Sequence, residues 1–579
     1  MRTVREDPEW QPSPPRALSG TPVRRRAAEP RYLGVAAALA LAGGVVCWAV
    51  GAGIVALWLF AVAAVALALA LPMPLAMVSP LFAGLAGWLV DMLPLVVLVG
   101  WGAVAGRWAW SLWSERRLPR GGRWRWLPLG LAAWTTLGLL AVGTADLKRF
   151  ALLLGVQILM SATLLAVVDC LSSPESRERL ANALAVFVVV LSVGVFLEWI
   201  GVPIQELKDP SVADRVEAAY GVDAFTNSLE MIKYVRSSKA GAPALRDAVE
   251  GVREAHPSLP PADVFKPKFQ AWRKSLLVRF EGSARPFEKD LSEAAGIELL
   301  FDNVGLAPAS TVPRMRSFPR NSLTYAGTCA ALFPMALYLG WRSSRRNRLL
   351  GHAALAACLF GAAFSLARGA WLAAAIGALY LVVDGVLPAR RKLEAVGAIV
   401  VAALVITGVF FIRYGVDPLS ARGEAEGSVN TRQELYIDTA NEVANGGLAL
   451  ITGYGIETAR GAGGSSHVLG RYIPNAGTHS TYLNYLYRAG IVGAVLLIVI
   501  YALGALHGRV AARWGAARER LFATTVTASV VIVAAHGMIL SLYVEPVYTL
   551  TVSLLLGLAM AVGLESQAPL LRRRDSVPR

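Results

Sequence analysis

The chain has 579 residues, 55% of them apolar and only 17% charged, with a formal net charge of +16. A soluble fold carries about 25% charged residues, so this composition excludes a disordered chain and argues against a soluble enzyme. The charge excess has two readings, nucleic-acid binding or the Lys and Arg that gather in the cytoplasmic loops of a membrane protein.

In chain order, residues 1–32 form a basic, Pro- and Arg-rich tail with no obvious small-residue cleavage site. They read as a cytoplasmic tail before a retained first helix, not as a cleaved signal peptide. Apolar runs long enough to cross a bilayer follow near 33–51, 54–71, 127–143, 151–170, 180–200, 322–340, 349–366, 370–387, 393–412, 481–503, 521–541 and 546–563. The stretch Pro72 to Gly106 is open: two short helices broken near Asp91 and Pro94, or one span with a re-entrant segment. The expectation is an all-α polytopic membrane protein of about 12–14 transmembrane helices. It comprises the 1–32 tail, helices over 33–200, an outer insertion over 201–320, helices over 321–413, a second outer loop over 414–478, helices over 479–564 and a basic tail over 565–579.

Six basic segments, 1–32, 107–126, 341–348, 388–393, 508–520 and 571–579, together carry +21, so the remainder carries −5. They share one side if the chain crosses 12 or 14 times, with both termini cytoplasmic. The positive excess is then a topology signal, and nucleic-acid binding loses its support. The insertion over 201–320 has 17 Lys and Arg against 16 Asp and Glu and reads as helix-rich, for instance over Ala240–Ala255 and Phe265–Phe280. The second loop predicts an amphipathic helix after the N-cap candidates Asn430 and Thr431, then a mobile Gly-rich stretch, Gly461–Gly464. No short-period repeat is visible. Cys47, Cys170, Cys329 and Cys358 lie in or at the ends of apolar runs without ligand spacing, so neither a disulfide framework nor a metal site is expected.

The informative cations are those on the outer side. Arg314 and Arg316 lie where the insertion meets a span that begins near Asn321; a substrate role and a headgroup anchor are both open. Arg368 sits in a very short outer turn, where burial demands an anion or a structural partner such as Asp91 or Glu198. Arg432, expected near a helix N-terminus, suits phosphate oxygens, or is simply solvated. Gly453 and Gly455, flanking Tyr454, suggest a close approach or positive φ; a plain loop is the alternative. His479 begins a span from the outer side and is the best general-base candidate among six histidines, although an isolated histidine is often structural. His467 is weaker. Several fixed cations and one imidazole on one face describe a site for a diphosphate leaving group and an acceptor hydroxyl, with no metal and no cofactor.

At these residues the chain resembles the O-antigen ligase and polysaccharide polymerase family of bacterial inner-membrane proteins. The resemblance is carried by the Arg-rich approach to the span with Asn321 and Ala326, by Ser365–Trp371, by Gly453-Tyr-Gly455, and by His479-Ser-Thr-Tyr-Leu with Gly490 and Gly493. Ala367 stands where the family has Ser, and Arg488 replaces an acidic residue. The resemblance implies a GT-C-like bundle and a metal-independent, inverting glycosyltransferase of the inner membrane. Its donor would be an undecaprenyl-diphosphate-linked glycan, used on the periplasmic face. The acceptor would be lipid A-core in a ligase, or another lipid-linked repeat in a polymerase. By matching position, Arg316 and Arg368 would engage the diphosphate and His479 would activate the acceptor, with Arg314, Asn321, Arg432 and Tyr454 lining the site. Ligase is the first reading and polymerase the second. A solute transporter would instead show inverted repeats with broken helices at the midplane, and an assembly protein would not need the Arg/His set.

Overall fold

The computed structural model describes residues 31–50, 52–88, 92–120, 123–142, 147–200, 317–319, 322–342, 344–365, 367–384, 386–414, 425–455, 465–468, 471–474, 480–540 and 545–575. The helices are α1 (Arg31–Ala49), α2 (Gly53–Ala70), α3 (Met73–Ala76), α4 (Ser79–Gly87), α5 (Leu93–Ser114), α6 (Leu127–Val142), α7 (Leu147–Cys170), α8 (Pro174–Trp199), α9 (Ser322–Gly340), α10 (Arg345–Phe364), α11 (Arg368–Val383), α12 (Ala389–Tyr414), α13 (Ala425–Asn445), α14 (Ala449–Thr452), α15 (Thr481–Trp514), α16 (Ala517–Ile539) and α17 (Pro546–Asp575). A short antiparallel hairpin, β1 (Ser465–Val468) with β2 (Arg471–Pro474), pairs His467 with Tyr472. The chain is therefore an all-α polytopic membrane protein. Among the described residues, ten helices are long and apolar enough to cross a membrane.

The open stretch follows the first alternative, helices parted near Asp91 and Pro94, with the first of them itself broken in two. Prolines 74, 80 and 94 each fall in a first helical turn, where a missing N–H costs nothing, and they divide the segment into α3, α4 and α5. α4 runs back along α5: a side chain on Gly87 would meet Val96 and Leu93, and one on Gly100 would meet Pro80 and Ala64. The broken pair α3–α4 thus traverses the bundle once and α5 returns. Beside the ten long helices, the described residues include the further apolar helices α6, α11 and α12. The expected helices within 201–320 lie outside the described residues.

Among the described residues, the basic segments 107–126, 341–348 and 508–520 meet at one end of the bundle, where acidic partners hold them. Arg117 Nη1 is 2.6 Å from Asp169 Oδ1, and Trp108 Nε1 donates to the same carboxylate. Arg342 forks onto Glu178 at 3.2 Å through both nitrogens. Arg177, its side chain 2% exposed, binds Glu519 at 2.8 Å and also Glu565, tying α8 to α16 and α17.

At the centre stands α16, packed by α9, α11, α15 and α17. Its threonines 524, 525 and 527 are buried, and each hydroxyl donates to a carbonyl of its own helix, Arg520 O, Phe522 O and Ala523 O respectively. A polar side chain so arranged leaves no demand on its neighbours.

Candidate active site

The site is built on the end of α16 remote from the basic segments. Four helices begin around its last turn. His536 Nδ1 lies 3.0 Å from Tyr548 Oη, two residues after the start of α17, and against Gly327, near the start of α9. A Cβ on Gly369, the second residue of α11, would stand 3.1 Å from Ile539. Ser480 caps α15, accepting from Leu483 N and donating to Gly537 O at 3.5 Å, while Thr481 Oγ1 donates to Leu540 O at 2.9 Å. Each helix start carries roughly half a positive charge on its free N–H groups, so four of them around one carboxyl end leave a net positive field. Burial raises the carboxyl pKa of Glu545, just before α17.

Arg368 is the first residue of α11, half-buried, behind the N-cap Ala367. The turn that leads to it is fixed by Trp371 Nε1 and Ser365 Oγ, both donating to Ala362 O. The position at a helix start, expected of Arg432, is therefore that of Arg368. Arg432 itself is a correction. α13 begins at Ala425, ahead of Asn430 and Thr431, because Ala425 and Glu426 are good first-turn residues, so Arg432 lies two turns inside the helix. One turn after Arg432, Tyr436 Oη donates to Met538 O, so α13 rests on the same end of α16.

The Gly-Tyr-Gly turn is a close approach, not a plain loop. Gly453 (φ 75°, ψ −179°) and Gly490 (φ 66°, ψ −172°) both occupy a backbone region essentially closed to other residues. They face each other: a Cβ on Gly453 would run into the Arg488 carbonyl and one on Gly490 into the Ile451 carbonyl. Gly490 breaks α15, and the carbonyls released there are taken up. Tyr454 N donates to Tyr487 O at 2.8 Å, Gly455 N to Arg488 O at 3.1 Å, and Trp134 Nε1 to Ala489 O at 2.8 Å. The rings of Tyr454 and Tyr487 stack at 4.7 Å, with Tyr454 Oη on the Glu442 carbonyl and Tyr487 Oη on its carboxylate. Burial first, and then the Glu442 charge, push the Tyr454 hydroxyl above its ordinary value, so it stays a donor.

Arg314, Arg316, Asn321 and His479 lie outside the described residues, as do Asp91 and Gly461–Gly464. The described frame brings together Arg368, the α15 start that follows His479, and Tyr454 one layer below. Trp134, Tyr436, Glu442, Tyr487 and His536 join them without having been singled out in the sequence. Two of them, Tyr436 and Glu442, carried a signal there, since residues six apart in a helix-length loop segment can reach two neighbouring spans. Among the described residues no three His, Cys, Asp or Glu side chains stand together as a metal site.

Residues 353–498, about a quarter of the chain, match the family described as O-antigen ligase. The matched stretch runs from α10 into α15 and contains Arg368, Arg432, Tyr454 and His479; Arg314, Arg316, Asn321 and Trp134 precede it. No curated protein and no solved structure matches the chain. Over that stretch the chain is similar to O-antigen ligases, which supports a ligase- or polymerase-like function of glycosyltransferase type.

Proposed function

We propose that this O-antigen ligase-like membrane protein moves a glycan from undecaprenyl diphosphate to an acceptor hydroxyl, lipid A-core in the first instance, on the periplasmic side of the inner membrane. The observation that carries the reading is the shared footing of two helix starts: α11, which opens with Arg368, and α15, which opens two residues after His479, both rest on the last turn of α16. Arg368, with Arg314, Arg316 and Arg432, neutralises the diphosphate as it leaves, and the converging helix starts add their partial charges. Asn321 and Tyr454 contribute neutral hydrogen bonds to the substrate. His479 takes the acceptor proton while the hydroxyl oxygen attacks the anomeric carbon from the face opposite the diphosphate. The glycosyl–oxygen bond to phosphate breaks as the new one forms, so the configuration inverts. No metal is required in this scheme, because the negative charge is met by arginine.

Purified protein supplied with an undecaprenyl-diphosphate glycan and lipid A-core should release undecaprenyl diphosphate in the presence of EDTA. His479→Ala should lower release by about 10² or more, in keeping with the loss of a general base. A requirement for added metal, or full release by both His479→Ala and Arg368→Ala, overturns the mechanism. The second reading, a polymerase using the same donor, is favoured by the long 201–320 segment, which could select another acceptor. A deletion strain separates the two: core lipopolysaccharide without any O-chain marks a ligase, a single repeat on the core a polymerase.

A further inference from the structure

We infer that Trp134, on α6, is a positioning residue for the first segment of α15, Thr481–Ala489. The inference rests on the reading that His479 is the base. A helix broken inside a bilayer leaves carbonyls that water cannot reach, and the break is stable only where each finds a donor. At Gly490 the three carbonyls are Tyr487 O, Arg488 O and Ala489 O; the outer turn supplies the first two donors and the Trp134 indole the third. Trp134 precedes the family-matched stretch, and it ties a carbonyl of the break to a membrane helix, where the other two are held by the loop.

The segment above the break is a short lever. Nine residues at 1.5 Å each make about 13 Å, so a swing of about 10° at Gly490 moves its upper end by about 2 Å. A misplacement of about 1 Å at a reacting group is enough to lower turnover by about 10². The upper end is steadied by Ser480 and Thr481 on α16, and the lower end by Trp134 and the Gly-Tyr-Gly turn. Releasing the indole leaves the lower end to the Gly-Tyr-Gly turn and to Gln157 Nε2, which donates to Tyr485 Oη at 3.1 Å, so the hinge is held less firmly without removing any group from the substrate.

The test uses the full chain in lipid nanodiscs, with Trp134→Phe, which keeps an aromatic ring and loses the donor, and Trp134→Gln, which restores a donor of similar reach. Amide hydrogen exchange is measured over residues 449–455 and 484–494 without substrate, alongside kcat and donor KM in the release assay. Trp134→Phe should speed exchange in both segments about fivefold, as expected for one lost hydrogen bond, and lower kcat about tenfold with donor KM within about twofold. Trp134→Gln should recover most of both. Unchanged exchange in Trp134→Phe overturns the inference, and so does a loss of kcat that Trp134→Gln leaves equally deep. Faster exchange in Trp134→Phe with no release even by the wild-type chain keeps the positioning contact and removes the glycosyl-transfer reading instead.

Discussion

Gly453 and Gly490 are the residues on which the site geometry turns, because their backbones meet where any side chain would part them. Gly490→Ala combines a disallowed φ with a collision at Ile451, so the turn should lift away from α15. We expect glycan transfer to fall by about 10² with the protein still inserted, measured by release assay on membranes of matched protein content. Glu545 offers a pH test. Burial raises its native pKa, so the native state holds the proton more tightly than the unfolded chain does. The contribution to stability is full below the unfolded value and is lost as pH rises through the raised native one. Glu545→Gln should therefore raise the melting temperature at pH 8 and change it little at pH 4, read by thermal unfolding in detergent. Arg368 stands out in the sequence as a cation in a very short turn between two apolar runs. Its place at a helix start does not, since Ser365 to Gly369 carries no capping side chain that marks a boundary.

At the scale of elements, the apolar runs predicted nine of the ten long helices, because twenty residues without charge admit few other structures in a bilayer; α5 lies in the open stretch and runs on into the segment 107–126, which its charge marks as a basic loop. The ends were less legible: α13 begins five residues before its expected caps, and the β1–β2 hairpin falls in a stretch with no alternating pattern. The break in α15 was invisible for a physical reason. Gly490 lies in an apolar run that is helical on both sides, and only the arrival of Gly453 from another part of the chain makes the break affordable in hydrogen bonds. Arg177 is the corresponding prediction among the helices. Its buried charge is balanced by carboxylates from α16 and α17, so Arg177→Leu leaves both without their partner. The loss should be about 3 kcal/mol, seen as a lower midpoint in chemical unfolding.

Across the whole molecule, the sorting of charge made the architecture readable before the packing was known. The described Arg-rich segments 107–126 and 341–348 gather at one end, and the Arg368, Tyr454 and α15-start neighbourhood lies at the other. In a chain with its four cysteines replaced, a membrane-impermeant maleimide should label Gln433→Cys, an exposed position on α13, in intact cells with a permeable outer membrane. It should label Arg346→Cys, exposed at the start of α10, only after lysis. The opposite pattern would invert the orientation. What the sequence could not convey is that a single helix, α16, serves as the common footing, because no motif falls at its last turn.

The threonines of α16 have a further consequence for how such a bundle is made. A helix rich in hydroxyls would ordinarily enter lipid with unmet hydrogen bonds and wait on its neighbours. Threonines 524, 525 and 527 instead close their bonds along their own backbone. At these three positions the helix makes no demand on its neighbours as it enters lipid, whereas His536 near its end meets Tyr548 of α17. Its partners α9, α11 and α15 are already synthesised by then, and α17 follows. Insertion and assembly become separable events, and the last helix of the chain closes the ring.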